Sequence, residues 1–125
     1  MSTSIVDIVG EILDRAPKAR VVVVGYPQII PATGTCPESP LGAGDYLFGR
    51  GVIEQFVEAQ RDAAKEAGAE YADVWSATEG HDICGEEPWI AGVKPVRDAT
   101  AYHPYAEEQQ AVADLLEEAV SGPGA

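Results

Sequence analysis

The chain has 125 residues, 46% of them hydrophobic and 23% charged, a balance typical of one small globular domain and not of a disordered segment. Its formal net charge is −13 and its eight Lys and Arg residues are scattered, which argues against nucleic acid, whose phosphates require clustered cations. No apolar run is long enough for a membrane span, and no secretory signal opens the chain.

The first predicted elements are a helix and a buried strand. Apolar residues recur at three- and four-residue spacing between Ser4 and Ala16, with Ser4 as the expected N-cap and Pro17 after the end. Four consecutive valines then open the segment Val21–Tyr26. Such a run before a glycine predicts a strand buried on both faces, as in parallel sheets covered by helices.

The middle of the chain is predicted to contain a loop, a helix and a second strand. A loop rich in Pro, Gly and Ser extends from Ala32 to about Phe48. The apolar periodicity of Gly49–Ala67 predicts a second helix, with Gly68 at its C-terminal cap. A short strand is then predicted over Glu70–Trp75.

A second long loop is expected over Ser76–Tyr102, and a third helix over Pro104–Val120. The order helix, strand, helix, strand, helix predicts an α/β fold in a single domain, residues 1–125, with a flexible tail over 121–125. An isolated two-stranded sheet is marginal in water, so the pattern indicates the second half of a larger sheet.

His103 stands directly before Pro104, a position that suits a catalytic base. The residue before a proline is pushed out of the helical region, and Pro104 suits the first helical position. His103 is therefore expected at the N-cap of the last helix, with its ring free to face a cleft. An imidazole held in this way fits a general base, and the alternative is an ordinary loop histidine.

Several segments, in order, carry a resemblance to a known family. They are Val22-Val-Val-Gly-Tyr-Pro-Gln-Ile-Ile-Pro31, the cysteine soon after it, Gly80-His-Asp-Ile-Cys84 with Pro88-Trp89, and His103-Pro104 at the last helix. From about Ile5 to Val120 the chain resembles the C-terminal half of SGNH (GDSL) hydrolases, above all the secreted esterases and lipases of actinomycete type.

The resemblance implies a flavodoxin-like α/β/α sandwich and hydrolysis of carboxylic esters, with no cofactor. The family uses a nucleophilic Ser, a Gly and an Asn in the oxyanion hole, and a His base, and only the base maps here, onto His103. Gly44-Asp45 is followed by Tyr46 and not by Ser, and the chain has no Asn. The expected partners are therefore an ester substrate and an N-terminal half that carries Gly-Asp-Ser, the segment missing from this chain.

The resemblance also concerns the group that orients the base. Many members place an Asp three residues before the His, and here that position is Thr100. Because some actinomycete relatives use a main-chain carbonyl there, the resemblance implies that the Thr100 carbonyl accepts a ring proton of His103 and fixes its tautomer. The carboxylate of Asp98 is the alternative, although a solvated loop acid is the simpler interpretation of that residue.

Cys36 and Cys84 lie in the two long loops, each of which follows a predicted parallel strand. Such loops emerge at the same edge of a sheet, so the two thiols can meet, and the resemblance implies a disulfide between them. A disulfide, like the family, implies an extracellular protein. The alternative is two free buried thiols in a cytosolic protein.

A cluster of possible metal ligands precedes Pro88. The cluster fits no known ligand spacing, and a thiol in a disulfide cannot ligate, so no metal is expected. The residues concerned are His81, Asp82, Cys84, Glu86 and Glu87.

Two serines and one tryptophan also lie in the predicted loops at this edge. Ser39 and Ser76 lack the glycine-flanked turn of a nucleophile and are interpreted as ordinary loop residues. Trp89, with Pro88 and Ile90 beside it, either lines an acyl pocket or anchors its loop to the core.

Two further functions belong to other classes. The chain is alternatively a non-catalytic interaction or structural piece that associates with itself through exposed sheet edges. A flavodoxin-like binding module is the weakest alternative, because no Gly-rich phosphate loop follows either strand. A test of ester hydrolysis distinguishes the first function from both.

Overall fold

The computed structural model describes residues 2–123, and over that range it contains four α-helices, one 3-10 helix and two strands. In chain order these are α1 (Ser2–Arg15), β1 (Val22–Val24), the 3-10 helix (Ala43–Asp45), α2 (Tyr46–Ala67), β2 (Glu70–Ala72), α3 (Val74–Ala77) and α4 (Ala106–Ser121). The predicted α/β class is therefore confirmed, and α3 is an addition to the three expected helices. Within residues 2–123, no helix is both long enough and apolar enough to cross a membrane.

The two strands pair in parallel, with Val22, Val23 and Val24 opposite Glu70, Tyr71 and Ala72. Helices cover both faces of the pair. On one face α2 packs on the sheet, and α1 packs on α2; on the other face α4 packs on both strands. The predicted parallel sheet is confirmed, and its order places β2 on one side of β1.

The strand β1 is less buried than the run of valines predicts. Val22 and Val23 are half-buried, and Val24 is 39% exposed. The expectation of a strand buried on both faces is therefore wrong for the described residues. The physical reason is that β1 has a neighbouring strand on one side alone, so its other edge and the adjacent side chains face solvent.

Both strands are also shorter than predicted. β2 ends at Ala72 because Asp73 caps the next helix: its carboxylate accepts hydrogen bonds from the backbone N–H of Ser76 at 3.2 Å and from the hydroxyl of Ser76 at 2.7 Å. An aspartate placed one residue before an apolar run starts a helix instead of extending a strand. Ser76 therefore lies in α3 and not in the predicted loop.

The helix boundaries differ from the predicted ones at their starts. α1 begins at Ser2, so Ser4 lies inside the helix and is not its N-cap. α2 begins at Tyr46, three residues before the predicted start, because the 3-10 helix leads directly into it. Its predicted end is confirmed: Gly68 has a φ of 74° and its N–H caps the carbonyls of Ala64 and Lys65.

The end of α4 is tied to the start of the sheet by Arg20. The Arg20 guanidinium donates to the carboxylate of Glu70 at 2.8 Å and to the carbonyls of Val120 at 3.0 Å and Gly122 at 2.8 Å. A cation at the negative end of a helix dipole stabilises that end. Ser121 thus belongs to α4 and not to the tail expected over 121–125, of which Gly124 and Ala125 lie outside the described residues.

Candidate active site

His103 lies in a tight turn that precedes α4. The helix begins at Ala106, so the expected N-cap position of His103 is wrong, and Tyr105 holds it instead. Pro104 is not the first helical residue, because it forms an isolated antiparallel bridge with Ile90. The backbone N–H of His103 donates to the carbonyl of Thr100 at 3.0 Å, which closes the turn.

The imidazole of His103 is exposed and has a main-chain partner. Its Nδ1 atom lies 2.9 Å from the carbonyl oxygen of Ala101. Because a carbonyl oxygen only accepts hydrogen bonds, Nδ1 carries the proton when this bond forms, and Nε2 of the neutral ring is then the free base. The geometry thus presents the tautomer that a general base requires.

The acceptor differs from the one expected. The Thr100 carbonyl accepts the main-chain N–H of His103, so the assignment of that carbonyl to the ring is corrected to Ala101, one residue nearer. The reason is the turn, which folds Thr100 back onto the main chain. Among residues 2–123, no hydrogen bond joins the carboxylate of Asp98 to the ring, so that alternative is not what the structure contains.

A short ladder holds this turn against the preceding loop. Ala91 is fully buried; its N–H donates to the carbonyl of His103 at 2.9 Å, and its carbonyl accepts from the N–H of Tyr102 at 3.0 Å. The N–H of Tyr105 donates to the carbonyl of Trp89 at 2.7 Å. Neither Ala91 nor Ala101 was identifiable from the sequence, because both act through backbone atoms that any residue has.

The ring of Trp89 stacks on the ring of the second histidine, His81. The rings of His81 and Trp89 are parallel within 8° with centroids 3.6 Å apart, and Nδ1 of His81 lies 2.8 Å from the carbonyl of Glu87. His81 therefore has a structural contact. Within the described residues no group of three or more His, Cys, Asp or Glu is placed to hold a metal ion.

Trp89 also borders a groove of about 440 Å³ beside the start of α4. The groove is lined by Pro88, Val96, Arg97 and Glu107 in addition. The guanidinium of Arg97 lies 4.1 Å above the Tyr105 ring and forms an ion pair with Glu107, and the hydrogen bond from Arg97 lowers the pKa of that carboxyl. Trp89 thus anchors its loop through the stack on His81, and its place in an acyl pocket stays a prediction.

Cys36 and Cys84 form a disulfide, with Cα atoms 5.5 Å apart. The bridge joins the two long loops that follow β1 and β2, as the resemblance implied. Two hydrogen bonds support it: the Tyr46 hydroxyl donates to the carbonyl of Cys36 at 3.0 Å, and the N–H of Cys84 donates to the buried carboxylate of Asp82 at 2.9 Å. The bridge thereby holds together the two loops that follow the strands.

Arg50 organises the space beside the disulfide. Its guanidinium donates to the carbonyl of Ile30 at 2.8 Å and to the side-chain oxygen of buried Gln28 at 3.1 Å, and it lies 4.8 Å from the Trp75 ring centroid. Glu54 neutralises it at 3.2 Å. The polar groups of Arg50, Gln28 and Glu54 bind one another, so we interpret this cluster as one that stabilises the loop after β1.

Ser39 and Ser76, both predicted to lie in loops, have local partners. The hydroxyl of Ser39 accepts from the N–H of Leu41 at 3.2 Å, and Ser76 is engaged by Asp73. Neither serine lies in a hydrogen bond with His103 among the described residues. The interpretation of both as ordinary serines fits these contacts.

Glu108 is a buried carboxyl in the first turn of α4. It is 4% exposed, and its Oε2 atom is buried without a hydrogen-bond partner within residues 2–123. Burial raises the pKa of Glu108 to about 7. The sequence indicated no such role, because a glutamate in a first helical turn is commonly a solvated residue.

Comparison with known proteins identifies the family. The GDSL-like lipase/acylhydrolase family model matches residues 2–119. Lipase 2 of Streptomyces coelicolor is 38% identical over 106 residues, which are 80% of this chain and 36% of that protein. Lipase 1 of the same organism is 33% identical over 109 residues, 82% of this chain and 37% of that protein. The chain thus spans about a third of the length of these curated relatives.

Two solved structures share the fold. A phospholipase A1 from Streptomyces albidoflavus matches 94% of this chain and 50% of its own, with a TM-score of 0.82 and 28% identity. An extracellular lipase from Streptomyces rimosus matches the same shares with a TM-score of 0.80 and 25% identity. These matches confirm the predicted SGNH resemblance. This chain belongs to the GDSL-like lipase/acylhydrolase family.

Proposed function

We propose that this chain supplies the histidine base of an SGNH-type carboxylic ester hydrolase, an esterase or lipase, and forms the C-terminal portion of its domain. The observation that carries the proposal is the exposed ring of His103, whose Nδ1 faces the Ala101 carbonyl and leaves Nε2 as the base. The nucleophilic serine and the oxyanion-hole Asn come from a segment outside these 125 residues, which contain neither a Gly-Asp-Ser motif nor any Asn.

The chemistry follows from the tautomer of His103. Nε2 takes the proton of the serine hydroxyl as its oxygen attacks the ester carbonyl, and the imidazolium then donates that proton to the leaving alcohol. A water molecule then attacks the acyl group in the same way: Nε2 takes a proton from the water, the acid is released, and the proton returns to the serine oxygen. The Ala101 carbonyl keeps Nδ1 protonated throughout, so the proton is exchanged at Nε2 alone.

The free edge of β1 is where the serine-bearing segment docks. β1, α2 and β2 form a crossover in which α2 lies on one face, and α1 packs on α2 before leading into β1. Crossovers between parallel strands are right-handed, so a strand that feeds α1 lies beside β1 on the side opposite β2. That position is the unpaired edge.

Exposed apolar side chains lie on β1 and on the helices packed near it. A monomeric globular protein of this mass exposes about 6,400 Å². This chain exposes 7703 Å², and the excess of about 1,300 Å² is larger than one partner's share of a standard protein–protein interface, about 800 Å². The exposed apolar residues on and beside α1, β1 and α2 are Ile8, Ile12, Val24, Tyr26, Leu47, Phe48 and Val52.

The disulfide supports an extracellular location for the complete enzyme. Disulfides persist in oxidising compartments, and one of the matched solved structures is described as an extracellular lipase. We propose the same location for this protein.

The test is reconstitution of ester hydrolysis. The chain is assayed with para-nitrophenyl esters alone, mixed with the serine-bearing half of Lipase 2 of Streptomyces coelicolor, and fused behind that half. Hydrolysis in the mixed or fused sample, and none by the chain alone, supports the proposal. Absence of hydrolysis in every sample contradicts it, and hydrolysis by the chain alone assigns the nucleophile to this chain, with Ser39 and Ser76 as the first residues to mutate.

The same exposed edge supports the alternative function, a non-catalytic piece that associates with itself. In that case the chain forms a stable dimer through β1 at micromolar concentration, and the serine-bearing half neither dissociates the dimer nor yields an active enzyme. Light scattering after size-exclusion chromatography, with and without that half, separates the two functions.

A further inference from the structure

Tyr102 has an unusual backbone conformation next to the proposed base. Its φ is 61°, and it is the sole non-glycine residue with a positive φ among residues 2–123. For an L-residue with a β-carbon this left-handed region is disfavoured by roughly 1–2 kcal/mol. Asn, Asp and Gly adopt it more readily, so a tyrosine remains there because surrounding contacts hold it.

The contacts that hold it come from the buried loop segment at Ala91. The N–H of Tyr102 donates to the Ala91 carbonyl at 3.0 Å, and the Ala91 N–H donates to the carbonyl of the next residue, His103, at 2.9 Å. The bridge between Ile90 and Pro104 continues the same ladder. Tyr102 is 40% exposed, and the hydrogen bonds that hold this segment are made by the backbone.

This conformation decides which carbonyl the imidazole meets. The bond from Nδ1 of His103 to the Ala101 carbonyl spans two residues, and Tyr102 is the residue between them. The backbone torsions that separate the two groups are therefore φ and ψ of Tyr102 and φ of His103. With Tyr102 in a right-handed or extended conformation, the Ala101 carbonyl points elsewhere and the ring loses its partner.

We propose that Tyr102 is a positioning residue for His103: its left-handed backbone, held by Ala91, orients the imidazole and fixes its tautomer. The inference rests on the proposed function of His103 as the base. It assigns the role to the backbone, so the side chain matters through the conformations that it permits.

The experiment compares variants that differ in their tolerance of positive φ. Tyr102→Val and Tyr102→Ala disfavour the left-handed region, the first more strongly because of its branched β-carbon, whereas Tyr102→Gly and Tyr102→Asn permit it. Tyr26→Val is the matched control for the tautomer readout alone, since Tyr26 is similarly exposed and lies outside the turn but beside the proposed docking edge. Circular dichroism confirms that each variant is folded, and the milder Ala variant replaces Val if the latter does not fold.

The first readout needs no activity. The chain has two histidines, so long-range ¹H–¹⁵N spectra report the tautomer of each ring, with His81 as an internal reference. We expect His103 to be protonated at Nδ1 in the parent, in the control Tyr26→Val, and in Tyr102→Gly and Tyr102→Asn. We expect a mixture of both tautomers in Tyr102→Val and Tyr102→Ala. An unchanged His103 tautomer in Tyr102→Val and Tyr102→Ala overturns the inference.

The second readout is the kinetics of the reconstituted enzyme. We expect Tyr102→Val to lower kcat by about 10- to 100-fold with KM little changed, because the base is misplaced while the substrate contacts are kept. We expect Tyr102→Gly and Tyr102→Asn to keep kcat close to that of the parent. If Tyr102→Gly lowers kcat as much as Tyr102→Val does, the role belongs to the phenol and the inference is overturned. If even the parent reconstitution is inactive, the proposed function fails, while the tautomer readout still decides the inference.

Discussion

His103 is oriented by a carbonyl dipole and not by a carboxylate. The Ala101 carbonyl, 2.9 Å from Nδ1, favours one tautomer but brings no full negative charge to the imidazolium of the proposed mechanism. The residue three positions upstream, Thr100, contributes its carbonyl to the main chain instead. In the proposed mechanism the side chain at position 100 therefore has no part, which separates the proposed base from a Ser-His-Asp arrangement.

The buried carboxyl of Glu108 makes the stability of the chain depend on pH. Its ordinary pKa of 4.5 rises to about 7 in the folded state, so between these values the folded state keeps a proton that the unfolded state has lost. The free energy of unfolding therefore falls as pH rises through this window and is constant above it. Glu108→Gln removes this contribution, and the variant should gain up to about 3 kcal/mol over the parent between pH 4.5 and pH 8.

Urea unfolding of parent and variant across that pH range measures the difference. Glu107→Gln is the matched control from the same helical turn, because the pKa of Glu107 is lowered by Arg97 and its titration lies below the window. A difference between Glu108→Gln and the parent that is independent of pH contradicts the account.

Side chains with distinctive chemistry could be identified from the sequence, and backbone roles could not. His103 stood out because it precedes a proline, and Cys36 and Cys84 because each follows a strand. Ala101 supplies a carbonyl, and Ala91 supplies a carbonyl and an amide, groups that carry no signature in the sequence. The left-handed conformation of Tyr102 is equally invisible, since tyrosine rarely adopts it.

At the scale of elements, the disulfide is the covalent link between the loops after β1 and β2. It joins residues 48 positions apart in the sequence. In the chain-entropy model, closing a loop of that size stabilises the folded state by about 4 kcal/mol. Reduction should therefore lower the urea midpoint of the parent substantially and leave a Cys36→Ser, Cys84→Ser double variant unchanged. Equal midpoints for the parent with and without reductant contradict this role.

Gly92 marks the close approach of the loop before His103 to the loop that carries Cys36. A β-carbon at Gly92 would lie 2.7 Å from the carbonyl oxygen of Glu38 and 2.8 Å from its β-carbon, so the loops would have to separate. Gly92→Ala should destabilise the fold by about 1–3 kcal/mol. Gly44→Ala is the control, because a β-carbon there meets nothing within 4 Å. Urea unfolding checks both, and equal effects of the two substitutions contradict the contact.

The elements themselves were predictable where one strong local signal was enough. Apolar periodicity predicted α1, α2 and α4, and Gly68 predicted the end of α2. The length of β2 could not be predicted in this way, because Asp73 caps α3 and so ends the strand. The start of α4 was misplaced because the bridge from Pro104 to Ile90, a contact distant in sequence, delays the helix.

At the scale of the whole molecule, the exposed edge of β1 explains why a run of four valines is only half-buried. The valine pattern predicted a strand with neighbours on both sides, and the described residues provide one of them. The sequence could not indicate which edge is free, since that depends on the packing of α1 against α2. The proposed docking of a serine-bearing segment at this edge resolves the mismatch.

A charge at the edge tests that docking. Val24→Lys places an ammonium group where the added strand would pack, and burying or displacing it should weaken reconstitution by tenfold or more, about 1.4 kcal/mol. Val120→Lys, at a more exposed valine near the end of α4, should leave the apparent affinity close to that of the parent. Titrating the chain with the serine-bearing half, with ester hydrolysis as the signal, measures both. Equal weakening by both variants contradicts docking at β1.

The most direct test of the whole account is the effect of His103→Gln on the kcat of the reconstituted enzyme. The substitution keeps a polar side chain of similar size on the surface but removes the base at Nε2. The account predicts that kcat for para-nitrophenyl esters falls by about 10²- to 10⁴-fold while the affinity for the serine-bearing half is unchanged. A His103→Gln variant that hydrolyses esters as fast as the parent would contradict it.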